Sequence, residues 1–466
     1  MISHPFHKLA SLAAMLALSA CSTLMPPTRV NAAVAPQWQA PLPHQGTVGA
    51  LAQWWQQQGD PLLAELITAA QGVNPSVAQA LSRIEAARSQ QATAHAALLP
   101  GVSAQMSASR GVSLPNEPVA TTQQIGLQAA WELDLVGANR AVSNAAQAQV
   151  QGTQAQWHDA RVSVAAEVAN LYYNLSTCNQ QLAVAQRDAA SRQETARLTA
   201  INARVGFVAP SLAAMARASA ADSSSRLTQQ AGQCDLFTKG LVALTALPEP
   251  ELRSKIAAAP VKPAQAAPVS IASVPAQTIS QRPDVFAAER DVVVASAQVG
   301  SAKAQRLPRL SLNGSIGALR VSSGAGEQNL TTWSFGPLSL SVPLFDGGQR
   351  VAAVQAAEAN YQSVVAVYQG KVRQAVREVE VALVNLNTTD LRSADATISS
   401  QGYAESLAAT QARFGQGLAS LIELEDARRN ALTFESTVLT LALERNLAWV
   451  ALYRALGGGF EPDATP

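Results

Sequence analysis

The chain repeats itself at an offset of about 210 residues, and this duplication constrains its fold more than any other feature. Asn74-Pro75-Ser76-Val77 answers to Arg282-Pro283-Asp284-Val285, and Leu99-Pro100 to Leu307-Pro308. Gly137-Ala138-Asn139-Arg140 answers to Gly347-Gly348-Gln349-Arg350, and Ala203-Arg204-Val205-Gly206 to Ala412-Arg413-Phe414-Gly415. Val242-Ala243-Leu244 returns as Val450-Ala451-Leu452. The order is kept and the offset barely drifts, which chance does not produce. A unit this long is a duplicated domain and not a solenoid repeat. The 466 residues alone would suggest about three ordinary domains. The repeat gives instead one copy over 51–247 and a second over 276–460, joined by a Pro/Ala-rich linker, 248–275.

Each copy has the same layout. A helix opens it, from Pro75 to Leu98 and from Pro283 to about Arg306, with proline in the first turn and a second proline as a stop. Two strands follow, predicted at 102–113 and 123–135 in copy one and at 309–320 and 333–345 in copy two. Val102, Ala104, Met106 and Ala108 alternate with Ser103, Gln105, Ser107 and Ser109. Ile125, Leu127, Ala129 and Trp131 alternate with Gly126, Gln128 and Glu132, and the second copy repeats the rule. Period two is the strand signature. Gly111–Thr122 and Val321–Thr332 are predicted as the surface loops between them.

A helical hairpin closes each copy, over 138–246 and 348–456. Val164, Val168, Leu171, Leu175, Cys178 and Leu182 form a heptad-like seam, matched by Val372, Val376, Val379, Leu383 and Leu386. The hairpins turn at Gly206–Ser211 and Gly415–Ser420. Strands of about ten residues, apolar on one face and small-polar on the other, suit a membrane barrel with a wet lumen. A soluble sandwich with one solvated face would show the same alternation.

Residues 1–20 have the form of a secretory signal, and Leu18-Ser19-Ala20-Cys21 resembles the lipobox of bacterial lipoproteins, in which the cysteine is acylated. An ordinary signal with a chance cysteine is the alternative. Ser22 after the cysteine, in place of Asp, is the pattern that in such lipoproteins favours the outer membrane. Residues 21–50 read as an extended tether. Cys178 and Cys234 stand symmetrically about Gly206 on the seam, so a hairpin turning there would bring them level. In an oxidising compartment they would form a disulfide; otherwise they are two buried apolar thiols.

Enzyme chemistry finds no footing. The five histidines have no metal-ligand spacing, and there is no Walker or dinucleotide fingerprint. No cofactor is implied. A net charge of +1 argues against a nucleic-acid partner. No apolar run beyond the N-terminus reaches the ~20 residues of a membrane helix. Hydrophobic residues at 48% argue against a disordered chain, and the 14% charged share is low.

Four strands cannot close a barrel, and open edges are not tolerated in lipid, so a chain whose strands enter a membrane must assemble. The order of lipobox, helix ending in Leu-Pro, strand pair and long hairpin, duplicated, resembles the outer-membrane efflux protein family. These are the TolC-like channels, and the chain is most similar to the NodT-type lipoproteins. The resemblance rests on Arg282-Pro283-Asp284-Val285, Leu344-Phe345-Asp346-Gly347-Gly348-Gln349-Arg350, Glu378-Val379-Glu380, Arg413-Phe414-Gly415-Gln416-Gly417 and Ala455-Leu456-Gly457-Gly458-Gly459-Phe460, and it spans roughly 50–460.

It implies a mainly α fold with a membrane β-barrel part, built as a trimeric channel. Each of three copies would give its strands to one barrel, and the helices would form a periplasmic tunnel. The implied partners are a periplasmic adaptor, an inner-membrane RND-type transporter and outer-membrane lipid. Secretion of proteins is a second role within that class, and a lipid-anchored coiled-coil scaffold is the reading from another class. By position, Arg204, Val205 and Gly206 with Arg413, Phe414 and Gly415 would dock the adaptor, or serve only as turn residues. Many relatives ring the closed tip with an aspartate. Here Ala209 and Ala419 stand near those places, and the nearest acids are Glu423, Glu425 and Asp426. These either line the pore or form a solvated helix face.

Overall fold

The computed structural model describes residues 25–32, 34, 38–40, 54–57, 59–112, 119–258, 279, 282–324 and 326–460. The signal, Cys21 and most of the 21–50 tether lie outside the described residues. The elements, in order, are α1 (Trp54–Gln57), α2 (Pro61–Val73), α3 (Pro75–Ala96), β1 (Gly101–Gly111), β2 (Ala120–Leu133), α4 (Ala138–Arg204) and α5 (Pro210–Thr245). There follow α6 (Glu249–Ala258), α7 (Pro283–Ala304), β3 (Arg309–Ser323), β4 (Gly326–Ser341), α8 (Gln349–Gly415) and α9 (Leu421–Ala455).

The chain packs as two units. One comprises Met1–Ala33, Leu81–Ala155 and Phe286–Lys371 and holds the sheet; the other comprises Val34–Ala80, Gln156–Val285 and Val372–Pro466. Neither unit is one copy of the repeat, because each takes segments from both.

The four strands form one antiparallel sheet in the order β1-β2-β3-β4. The two copies meet in its centre, where β2 pairs with β3 from Ala120↔Ser323 to Leu133↔Leu310. Gly126 faces Gly317 in that ladder. A Cβ on Gly317 would stand 2.7 Å from the Ile125 carbonyl oxygen, and one on Gly126 would stand 3.0 Å from that of Ile316. The close approach of the two copies here therefore requires glycine on both sides.

The predicted loop Val321–Thr332 is not a loop: β3 runs to Ser323 and β4 begins at Gly326, with Arg320 paired to Glu327 at 2.5 Å across the hairpin. The alternation fades there because Ser322, Gln328, Asn329, Thr331 and Thr332 put polar side chains on both faces. Backbone pairing continues without it.

The two strand-to-helix junctions are built alike from different positions. Asp346 accepts bonds from the backbone N–H groups of Gly348 and Arg350, and binds the Arg350 guanidinium at 2.9 Å. In copy one Asp134 accepts from the N–H groups of Asn139 and Arg140 and from the Arg140 side chain. Each carboxylate satisfies N–H groups that the first helical turn leaves unpaired and sits favourably at the positive end of the helix dipole.

The helices α4 and α8 are 67 residues each. In the second unit, Val164, Val168, Leu175, Cys178, Val379, Leu383 and Leu386 are buried in one cluster with Leu241, Leu63, Leu66 and Leu452. The seam predicted from heptad spacing is thus core. Its small residues, such as Ala165, Ala169 and Ala382, let helix backbones approach closely.

Two further expectations are corrected. The linker 248–275 starts as helix, α6, which Pro248 and Glu249 open and which plugs Leu252 into the core. The tether is not free where it is described. Pro26 and Pro27 accept hydrogen bonds from Ser296 and Tyr361 at 2.6 and 2.7 Å, and Val30 packs against Val292, Ala295 and Val299. The Met25 side chain lies over Gly300, where any Cβ would collide with it. Further along, the backbone N–H groups of Gln39 and Ala40 both donate to the Glu380 carboxylate, at 2.7 and 2.8 Å. Proline-rich chain lacks its own N–H partners, so its carbonyls and remaining N–H groups bond to helix side chains instead.

Candidate functional site

The sheet presents two unlike faces. Register puts Val102, Met106, Ile125, Leu127, Ile316, Trp333, Phe335 and Leu338 on one side. On the other lie Ser103, Gln105, Gln124, Gln128, Ser315, Thr332 and Ser334. The apolar side is open: Trp333 is 77% and Phe335 84% exposed. Both sheet edges, β1 and β4, have no strand partner among the described residues. Exposed aromatics with unpaired edges are costly in water and suit lipid once the edges are paired. No described helix is long and apolar enough to cross a membrane.

The hairpin turns differ in detail. At the first, Gly206 takes φ 84°, the Phe207 N–H donates to the Asn202 carbonyl, and Phe207 is 83% exposed. Pro210 then starts α5 without a side-chain cap. Arg204 ends α4 and Val205 follows it into the turn. At the second, Gly417 takes the positive φ, Leu418 N–H donates to the Arg413 carbonyl, and the Arg413 guanidinium donates to the Leu418 carbonyl at 3.1 Å. Phe414 is turned inward, onto Ala196, Ala216, Leu421 and Leu424, and Gly415 ends α8. The aromatic residues of the two turns therefore face opposite ways, Phe207 to solvent and Phe414 to a core, while Val205, the repeat counterpart of Phe414, is exposed.

The three acids near the second turn have three distinct environments. Glu423 closes a capping box with Ser420: the Ser420 hydroxyl accepts from the Glu423 N–H, and the Glu423 carboxylate accepts from the Ser420 N–H at 2.7 Å. The backbone bond from Ser420, helped by its hydroxyl and by Arg413, holds the Glu423 carboxyl below the ordinary glutamate range. Asp426 pairs with Arg429 on the exposed face. Glu425 is shielded and bound to both Arg192 and Arg428. Arg192 also chelates Asp188 at 2.8 and 2.9 Å and donates to Ser219, which in turn donates to Glu425. Arg428 reaches Ser191 and Thr195, both at 2.9 Å. Two arginines and two carboxylates thus form a neutral cluster joining α4, α5 and α9. Glu425 is spent within this cluster, which leaves Glu423 and Asp426 as the exposed acids of the three.

Sequence reasoning missed Arg192 and Arg428. Their partners are 233 residues and one helix turn away respectively, and nothing in a heptad pattern points from one copy to the other.

Cys178 and Cys234 are joined by a disulfide, with Cα atoms 5.6 Å apart. The Gln230 amide donates to the Cys178 carbonyl beside it. The motif residues that carried the resemblance also find roles. Arg282 is buried, forks onto both oxygens of Asp284 at 2.9 Å, meets Glu378 at 2.8 Å and donates to the Ala455 carbonyl at the end of α9. Val379 is core, and Glu380 holds the N-terminal strap. Gly457, Gly458 and Gly459 all take positive φ, which turns the chain so that Phe460 is buried beside His158. No group of three metal-ligating side chains occurs among the described residues.

Comparison with known proteins matches this chain to the family described as outer membrane efflux protein, over residues 66–246 and 274–458. It is 31% identical to the outer membrane protein OprJ of Pseudomonas aeruginosa, over 98% of this chain and 97% of that one. It is 27% identical to nodulation protein T of Rhizobium leguminosarum bv. trifolii, over 88% of each. Among solved structures, the MtrE outer membrane channel of Neisseria gonorrhoeae, crystallised in an open state, superposes with a TM-score of 0.82. It shares 26% identity, over 95% of this chain and 99% of that one.

Proposed function

The chain belongs to the outer membrane efflux protein family, and on that premise we propose that it is the outer-membrane channel of a tripartite efflux pump. As a family member it is a channel protein of the outer membrane and not an enzyme. In the proposed assembly three copies each give four strands to one barrel. The tunnel below accepts small toxic compounds from an inner-membrane RND-type transporter through a periplasmic adaptor. Conduction is passive, because the pump supplies the energy.

The observation that carries this reading is the sheet. Its outer side is apolar and exposed, its inner side is mostly hydroxyl and amide along the middle of the strands, and its two edges have no strand partner among the described residues. Only closure with other copies satisfies those edges in lipid. Arg204, Val205 and Gly206 with Arg413, Phe414 and Gly415 are the proposed docking turns. The exposed Phe207 and Leu418 extend that surface. Acylation at Cys21 is the proposed anchor, each buried CH₂ adding roughly 0.8 kcal/mol.

Purified protein in a planar bilayer tests the proposal. Discrete conductance steps and a trimeric mass in detergent are expected. A monomeric mass with no discrete conductance rejects the channel. Deletion of the gene in its host is expected to raise sensitivity to toxic compounds, and unchanged sensitivity with a defect in protein export would move the role to secretion.

A further inference from the structure

The polar face of the sheet carries no charge along the middle of its described strands. Gln105, Ser107, Gln124, Gln128, Ser315 and Ser334 line it, and the Ser315 and Ser334 hydroxyls meet at 2.8 Å. The charged residues of that face, Glu132 and Arg309, stand at its helix-side end and have opposite signs. Arg110, Arg320 and Glu327 fall on the apolar side, toward the far end of the strands.

A fixed charge on a lumen with low-dielectric walls focuses field lines and selects the ions that pass. A threefold assembly would multiply any such charge into a ring. Hydroxyls and amides, by contrast, both donate and accept hydrogen bonds, so they solvate cations and anions alike. We propose that the barrel passes small solutes without regard to the sign of their charge, and that Gln105, Gln124 and Gln128 are the positions that keep it so. This rests on the channel reading above.

The test places Gln128→Cys in the full chain, in outer-membrane preparations. Its reaction rates with a cationic and an anionic methanethiosulfonate reagent are measured, each normalised to a free thiol. The unsubstituted protein supplies the background from its own cysteines. The two normalised rates are expected to agree within about threefold. Adding Gln105→Glu, one pair further along the neighbouring strand, is expected to favour the cationic reagent by about tenfold. A preference beyond threefold before any charge is introduced overturns the proposal and leaves the channel standing. Failure of Gln128→Cys to react at all, in protein shown to be inserted, removes this face from the lumen and takes the channel reading with it.

Discussion

Arg192 and Glu425, 233 residues apart in the sequence, form an ion pair whose side chains are only 15% and 12% exposed. The pair ties the outgoing helix of one copy to the return helix of the other. Removing the carboxylate leaves Arg192 with Asp188 and the Ser219 hydroxyl, and Arg428 with neutral hydroxyls only. Glu425→Gln is therefore expected to destabilise this part of the protein by about 3–5 kcal/mol, the usual cost of orphaning a buried charge. Denaturant titration in detergent measures it. A loss under about 0.5 kcal/mol would show the cluster to be solvated and unimportant. Asp426→Asn, on the exposed face, is expected to stay within that limit.

Gly458 has φ +60°, and a Cβ there would meet Val162 Cγ2 at 2.4 Å. Gly458→Ala combines backbone strain with overpacking, for an expected loss of about 2–4 kcal/mol. Gly348 has φ +91° but open space around it, so Gly348→Ala is expected to cost only the backbone part, about 1–2 kcal/mol. Thermal unfolding of the two variants separates these contributions, and equal losses would mean that the contact with Val162 yields freely.

The extent to which this fold was legible follows from which forces leave local marks. The α4 seam showed because Val164, Val168, Leu175 and Cys178 are buried by one neighbouring set of helices, and such burial imposes a heptad rhythm. The strands showed wherever one side chain in two was apolar. They vanished over 321–332, where polar residues fill both faces and only the backbone ladder remains. Helix α6 was hidden in Pro/Ala-rich sequence because one buried side chain, Leu252, holds it. Of the site, the cysteine pairing could be reasoned from symmetry about Gly206. The binding of Glu425 by Arg192 and Arg428 could not, since long-range ion pairs set no period.

The Cys178–Cys234 bridge closes a loop of 56 residues in sequence. Chain entropy alone assigns such a loop about 4 kcal/mol. Cys178→Ser with Cys234→Ser is expected to lose up to about that much stability, while the buried seam around Leu175 and Leu241 keeps the hairpin formed. Non-reducing peptide mapping checks the bridge and denaturant midpoints check its weight. Recovery of both thiols free from protein isolated without reductant would refute the pairing. Unequal midpoints with an unchanged slope would assign the effect to stability and not to loss of compactness.

Glu423 sets a pH window for the second hairpin turn. Its carboxyl is held below the ordinary glutamate range, first by the Ser420 backbone bond and then by the Ser420 hydroxyl and Arg413. A group depressed in the folded state binds its proton more readily when the helix start frays. Its contribution is therefore complete above the ordinary glutamate range and is lost as pH falls through the lower, folded value. Amide exchange at Leu421–Leu424 is expected to be insensitive to this group near neutrality. Once the intrinsic pH dependence of exchange is removed, protection is expected to fall as the solution is acidified below about pH 4. Glu423→Gln keeps a hydrogen-bonding amide but cannot titrate, so it is expected to flatten that fall while Ser420→Ala weakens the cap at every pH. A fall of the same size in Glu423→Gln would place the acid sensitivity of the turn on another group.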